Sequence, residues 1–163
     1  IVMVVGSLKL NDMVAAQKEL WFVFTQPLAF ILYLIAGTAE VNRTPFDLPE
    51  AESEIVSGYN TEYSGLKYGF FMLSEFTNML IISMVAATVF LGGWNVPAWL
   101  SFLPGVVVLL LKTYLIVFVL MWFRWTFPRL RVDRLMDFGW KILIPLAFLN
   151  IFIIGVRMVV FKW

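Results

Sequence analysis

The sequence contains no cysteine and no histidine. It therefore offers no disulfide, no thiolate for an iron–sulfur cluster and no imidazole for haem. If electrons pass through an assembly that includes this chain, another subunit carries the redox metal. Charge is also scarce. Only 14% of the 163 residues are Asp, Glu, Lys or Arg, 61% are hydrophobic, and mean hydropathy is +0.88. Soluble domains lie nearer half apolar, so an integral membrane protein of one domain's length is expected. No nucleotide-binding loop, metal-ligand spacing, nucleophile triad, internal repeat or low-complexity tract is visible. The first residue is Ile1 rather than Met and no signal peptide is seen, so we expect a fragment lacking an N-terminal part.

The charge that is present is unevenly placed. Seven of the 11 acidic residues fall between Ala39 and Glu75: Glu40, Asp47, Glu50, Glu52, Glu54, Glu62 and Glu75. Only Arg43 and Lys67 oppose them, so this segment carries 2 − 7 = −5. From Lys112 to Trp163 there are eight Lys/Arg and two Asp, giving 8 − 2 = +6.

The apolar runs predict an all-α, polytopic helix bundle with about four membrane spans, a helical stub at residues 1–6 and short loop helices. Asn11-Asp12 is a good N-cap pair, and a short interfacial helix is expected from Asp12 to Leu20. Leu20–Ala39 holds no charge in 20 residues, about 30 Å of helix, with Pro27 as a kink or a late start. Phe76–Leu111 holds none in 36 residues, too long for one span, and Gly92-Gly93, Asn95, Pro97 and Pro104 break it. The expected spans are therefore about 20–39, 69–91, 105–124 and 142–161, with loops at 41–67 and 125–141. Within the first loop, Asp47 and Glu50 form a capping-box pattern for a short helix over about 48–57, ended by Gly58.

Two spans separate the acidic loop from the basic connector, so both lie on one side. That side carries seven cations (Arg43, Lys67, Arg124, Arg129, Arg131, Arg134 and Lys141) and the other four (Lys9, Lys18, Arg157 and Lys162). The excess places both loops in the cytoplasm.

Each charged group has a plain reading beside a functional one. Glu50, Glu52 and Glu54 suit the positive end of a helix dipole, at about 0.3–1 kcal/mol each, and a surface helix needs nothing more. Glu40 and Glu75 argue for more. Glu75 lies about six residues into an expected span, where a carboxylate costs about 2.5–3.5 kcal/mol at the centre and less near an interface. Met72, Glu75, Met79 and Ile82 share a helix face, flanked by Phe71 and Asn78, so Glu75 is expected to face neighbouring helices rather than lipid. Such residues usually mark proton or ion routes. Lys112, alone in its helix before Arg124, reads equally as half of an ion pair with an acid on a neighbouring helix or as a functional cation. Arg129, Arg131 and Arg134 are by default a topology anchor; the other reading is a basic rim facing the acidic loop or an anionic partner.

These residues carry a resemblance. AEVNRTPFDLPEAESE, the following EYSG, the FFMLSEFTNM run and the tail LKTYLIVFVLMWFRWTFPRLRVDRLMDFGWK closely resemble one membrane-subunit family of respiratory complex I. It is the family beside the quinone chamber of proton-translocating NADH:quinone oxidoreductase, called subunit 1 in mitochondria. The likeness covers nearly the whole chain and corresponds to the C-terminal half of the family's length. One departure stands out: many relatives have Gln where this chain has Arg134.

The resemblance implies a component of the bacterial inner (plasma) membrane that helps wall a quinone tunnel, with quinone as substrate at the interface with the peripheral arm. Flavin and iron–sulfur clusters belong to partner subunits, and other membrane-arm subunits adjoin. It implies a proton path through Glu40, Asp47, Glu50, Glu52, Glu54, Glu62 and Glu75 with Arg43 as counter-charge, and a tunnel mouth or wall at Arg124, Arg129 and Arg131. Two alternatives differ in class. Half of a secondary transporter would coordinate ions at Glu75 and Lys112 and show an inverted repeat. The membrane anchor of an energy-converting hydrogenase would share the fold without needing quinone.

Overall fold

The computed structural model describes residues 1–47, 63–96 and 102–161. Helices alone make up the regular structure of these residues. In chain order they are α1 (Val2–Val5), α2 (Leu10–Ala16), α3 (Phe22–Thr25), α4 (Pro27–Glu40), α5 (Leu66–Phe90), α6 (Gly105–Thr126), α7 (Val132–Phe138), a π-helical turn at Gly139–Leu143, and α8 (Ile144–Phe161). Three stretches are long and apolar enough to cross a membrane: Leu66–Phe90, Gly105–Thr126 and the continuous Asp133–Val160. With the shorter apolar α4 they form a membrane helix bundle.

The charge-free run from Leu20 to Ala39 is not one helix. Gln26 takes φ −136° and ψ 59°, and α4 starts at Pro27 in its first position. Proline suits that position because its missing N–H would be unpaired there anyway. The result is a 14-residue helix, about 21 Å long and shorter than the hydrocarbon core. α2 likewise begins earlier than Asn11-Asp12 suggests. Lys9 is its N-cap, while Asp12 sits in the first turn and accepts a hydrogen bond from Ser7 Oγ at 2.6 Å.

The basic connector is largely helical. α7 starts after Arg131 and continues through the π turn into α8, so the last helix begins ten residues before position 142. The π turn ends two residues before Pro145, which has no N–H to return to the Lys141 carbonyl, and the ladder shifts register there.

α5 and α6 make the main packing contact. Small residues of α5 (Ser83, Ala86 and Ala87) are fully buried, as is Ile116 of α6, and Met79, Leu34, Val41 and Leu120 complete the core. Small residues let membrane helices approach closely, where dispersion rather than the hydrophobic effect holds them together. α4 uses the same device. A Cβ on Gly37 would lie 2.8 Å from Ile82 Cγ2, so only glycine fits there. Beyond α5, Gly92 and Gly93 turn the chain with φ +73° and +52°, and a Cβ on Gly93 would strike Val14 Cγ2 at 2.9 Å.

Candidate functional site

The site starts where α4 ends. Asn42 adopts the left-handed conformation at φ 50°, which asparagine tolerates better than most residues. Its N–H donates to the Ala39 carbonyl at 3.1 Å, and the Arg43 N–H to the Thr38 carbonyl at 3.3 Å. These two bonds are the Schellman closure of a helix C-terminus. The closure reverses the chain directly after Glu40 and fixes the stem of Arg43.

From that stem the Arg43 guanidinium reaches α5. Its Nη2 lies 3.4 Å from Glu75 Oε2, with side-chain exposures of 11% and 22%. Its Cζ sits 5.0 Å from the centre of the Phe76 ring, within cation–π range. Met72, Glu75 and Ile82 are half-buried and Met79 is buried, so this face of α5 does turn toward the bundle, while Asn78 is exposed. Arg43 Nε and Nη2 find no hydrogen-bond partner among the described residues, so the pair is held by charge rather than by a well-aligned bond.

Asp47 is 7% exposed, and its Oδ2 lies 3.9 Å from Arg129 Nη2. Its Oδ1 has no hydrogen-bond partner among the described residues. Beside it, the Leu130 N–H donates to the Pro45 carbonyl at 3.0 Å. The start of the acidic loop and the basic connector therefore meet at one end of the bundle, as the parity of spans requires. Glu40, Arg124 and Arg131 are exposed at that end and make no ion pair among the described residues. Glu50, Glu52, Glu54 and Glu62, with the helix expected over 48–57, lie outside the described residues. No group of three or more Asp or Glu side chains that could hold a metal ion gathers among the described residues.

Lys112 resolves differently from the ion pair considered for it. Its ammonium donates to the carbonyls of Gly93 at 2.9 Å and Asn95 at 3.0 Å, and lies 4.8 Å from the centre of the Trp21 ring. These groups are at the opposite end of the bundle from Glu75. Glu75 and Lys112 therefore do not share one site. Gln17, fully buried beside this lysine, was not among the residues the sequence singled out. A lone glutamine in a polar stretch carries no signal of burial, and only the fold reveals it.

The arrangement defines a class: a polytopic membrane protein with a carboxylate–arginine pair set just inside one end of its helices. A sequence model of the family described as NADH dehydrogenase matches residues 1–155. The chain is 57% identical to the H subunit of the NADH-quinone oxidoreductase of Bacillus mycoides (strain KBAB4) over 153 residues, covering 94% of this chain and 46% of the relative. Identity is 56%, with the same coverage, to the corresponding H subunits of Bacillus cereus (strain B4264) and Geobacillus sp. (strain WCH70). The chain belongs to this family, and it spans about half the length of the curated relatives it matches.

Proposed function

We propose that this chain is part of the membrane subunit of a proton-pumping NADH:quinone oxidoreductase, that it helps wall the quinone tunnel, and that its carboxylates begin the proton path. The observation that carries this reading is the Arg43–Glu75 pair, 3.4 Å apart, with Asp47–Arg129 beside it. The first links a loop residue to α5, and the second links two loops. Glu75 accepts or releases a proton, and each change of its charge makes or breaks the attraction that holds Arg43, and with Arg43 the start of the acidic loop. A protonation event inside the helix thus moves a loop at the interface, and a loop displacement shifts the proton. Arg124, Arg129 and Arg131 stand at the same end, where exposed cations suit the rim of a site that takes a quinone and meets the peripheral arm. In this reading the flavin and iron–sulfur clusters lie in partner subunits, other membrane-arm subunits carry the proton onward, and the acidic loop faces the cytoplasm of a bacterial inner membrane.

Glu75→Gln in the assembled complex tests the reading. Glutamine keeps the shape and an acceptor for Arg43 but cannot carry a proton. Assembly and NADH oxidation by an artificial acceptor, which needs only the peripheral arm, are expected to survive, while quinone reduction and proton pumping fall together. Wild-type pumping per electron in that variant refutes the proton role of Glu75. Turnover without any quinone requirement would instead favour the hydrogenase-type anchor.

A further inference from the structure

The proposed function leaves one buried cation unused. Lys112 of α6 is 9% exposed, and its ammonium meets the turn beyond Phe90, where α5 ends about 22 Å along its axis from Glu75. Its three N–H donors meet two carbonyls, those of Gly93 and Asn95, and the face of Trp21. The charged form is therefore solvated without an acid. Gln17 satisfies the neighbouring backbone groups. Its Nε2 donates to the carbonyls of Met13 at 3.1 Å, Thr88 at 3.2 Å and Val89 at 3.0 Å, and its Oε1 accepts from the N–H groups of Phe22 at 3.3 Å and Gly92 at 2.9 Å. Asn95 Nδ2 donates to the Val14 carbonyl at 2.7 Å. The carbonyl end of a helix is ordinarily where water and cations gather, because its dipole is negative there. Here protein donors take the carbonyls of Thr88, Val89, Gly93 and Asn95, so these four acceptors are closed to a water chain.

We propose that Lys112, with Gln17 and Asn95, is an electrostatic seal that stops protons from leaving the bundle at the end opposite Glu75. A fixed positive charge among satisfied carbonyls repels a hydronium ion and offers it no route of hydrogen bonds. The seal takes its purpose from the proton-path reading, and its test separates the two.

The measurement is the passive collapse of an imposed pH gradient in vesicles holding the assembled complex, without NADH. Unit charges about 10 Å apart at an effective dielectric of about 20 repel enough to change a rate roughly tenfold. Lys112→Met and Lys112→Gln, the second keeping hydrogen-bond donors, are expected to leak about tenfold faster than the wild type, and Lys112→Arg is expected to stay tight. Adding Glu75→Gln to Lys112→Met returns the leak toward wild type if protons reach the seal through Glu75. A leak that persists in the double variant upholds the seal and removes Glu75 from the route. A wild-type leak rate in either assembled neutral variant overturns the seal, as does a leak in Lys112→Arg equal to that of Lys112→Met. Failure of both neutral variants to assemble where Lys112→Arg assembles assigns the cation to folding and likewise overturns it.

Discussion

Replacing Arg43 by methionine removes the guanidinium that pairs with Glu75 and leaves a carboxylate inside α5 without that counter-charge. Two unit charges 3.4 Å apart attract by 332/(20 × 3.4), about 5 kcal/mol at an effective dielectric of about 20. That is a gross figure. Desolvation of both groups and their exposures of 11% and 22% reduce it, and breaking such a pair costs near the low end of about 3–5 kcal/mol. At about 3 kcal/mol, the docked state of the loop start falls by a factor of about 100 relative to undocked forms. The effect is asymmetric. Glu75→Gln leaves Arg43 with the Phe76 ring and an amide oxygen, whereas Arg43→Met leaves an anion that has lost its guanidinium. The amount of this chain incorporated into the membrane complex reads this directly. Arg43→Met is expected to assemble poorly, Glu75→Gln normally, and the double variant Arg43→Met with Glu75→Gln close to normally, because removing both charges removes the imbalance. Quinone reduction stays lost in the double variant even where assembly recovers. Wild-type assembly of Arg43→Met, or poorer assembly of the double variant than of Arg43→Met, would show that the pair does not hold the loop and refute the reasoning.

Cysteines placed at Thr61 and at Asp137 are expected to react with an impermeant reagent from the cytoplasmic side only; labelling of either from the periplasmic side of intact cells would overturn the orientation. Arg131→Ala is expected to raise the apparent KM for a short-chain quinone with assembly unchanged, since Arg131 is exposed and such surface changes stay within about 0.5 kcal/mol; unaltered kinetics would leave the arginine a topology anchor. Gly37→Ala is expected to lower the thermal stability of the assembled complex by about 1–3 kcal/mol through overpacking against Ile82, and Ile82→Ala in the same chain to restore part of it; an unchanged inactivation temperature for Gly37→Ala would show that α4 and α5 pack less closely than 2.8 Å implies.

Much of the architecture was decided by the sequence alone. The charge-free runs require helices because a membrane core satisfies no backbone polar group from outside. Gly92-Gly93 marked the end of α5, while Pro27 read as a kink or a late start and the fold chose the start. Seven carboxylates between Ala39 and Glu75 marked one end of the bundle as exceptional, and span parity put the basic connector beside it. The motifs of that region were long enough to point to the family.

Other features depend on how the helices are rotated and stacked, and no linear pattern encodes that. Any of several acids in the segment could have faced Arg43. The Schellman closure at Asn42 and the facing of α5 select Glu75. Lys112 lacked a visible partner because backbone carbonyls leave no mark in a sequence, and a turn held by Gly92 and Gly93 brings two of them within 3.0 Å. The run from Leu20 to Ala39 reads as one span, yet it breaks at Gln26, where Arg157 of α8 donates to the Thr25 carbonyl at 3.3 Å. The last helix begins at Val132 because an exposed, charged segment remains helical when it continues a long apolar one. Composition and periodicity thus decided what kind of elements form. Which side chains meet was left to packing, because a contact between distant residues is a property of two surfaces and each run of sequence describes only one.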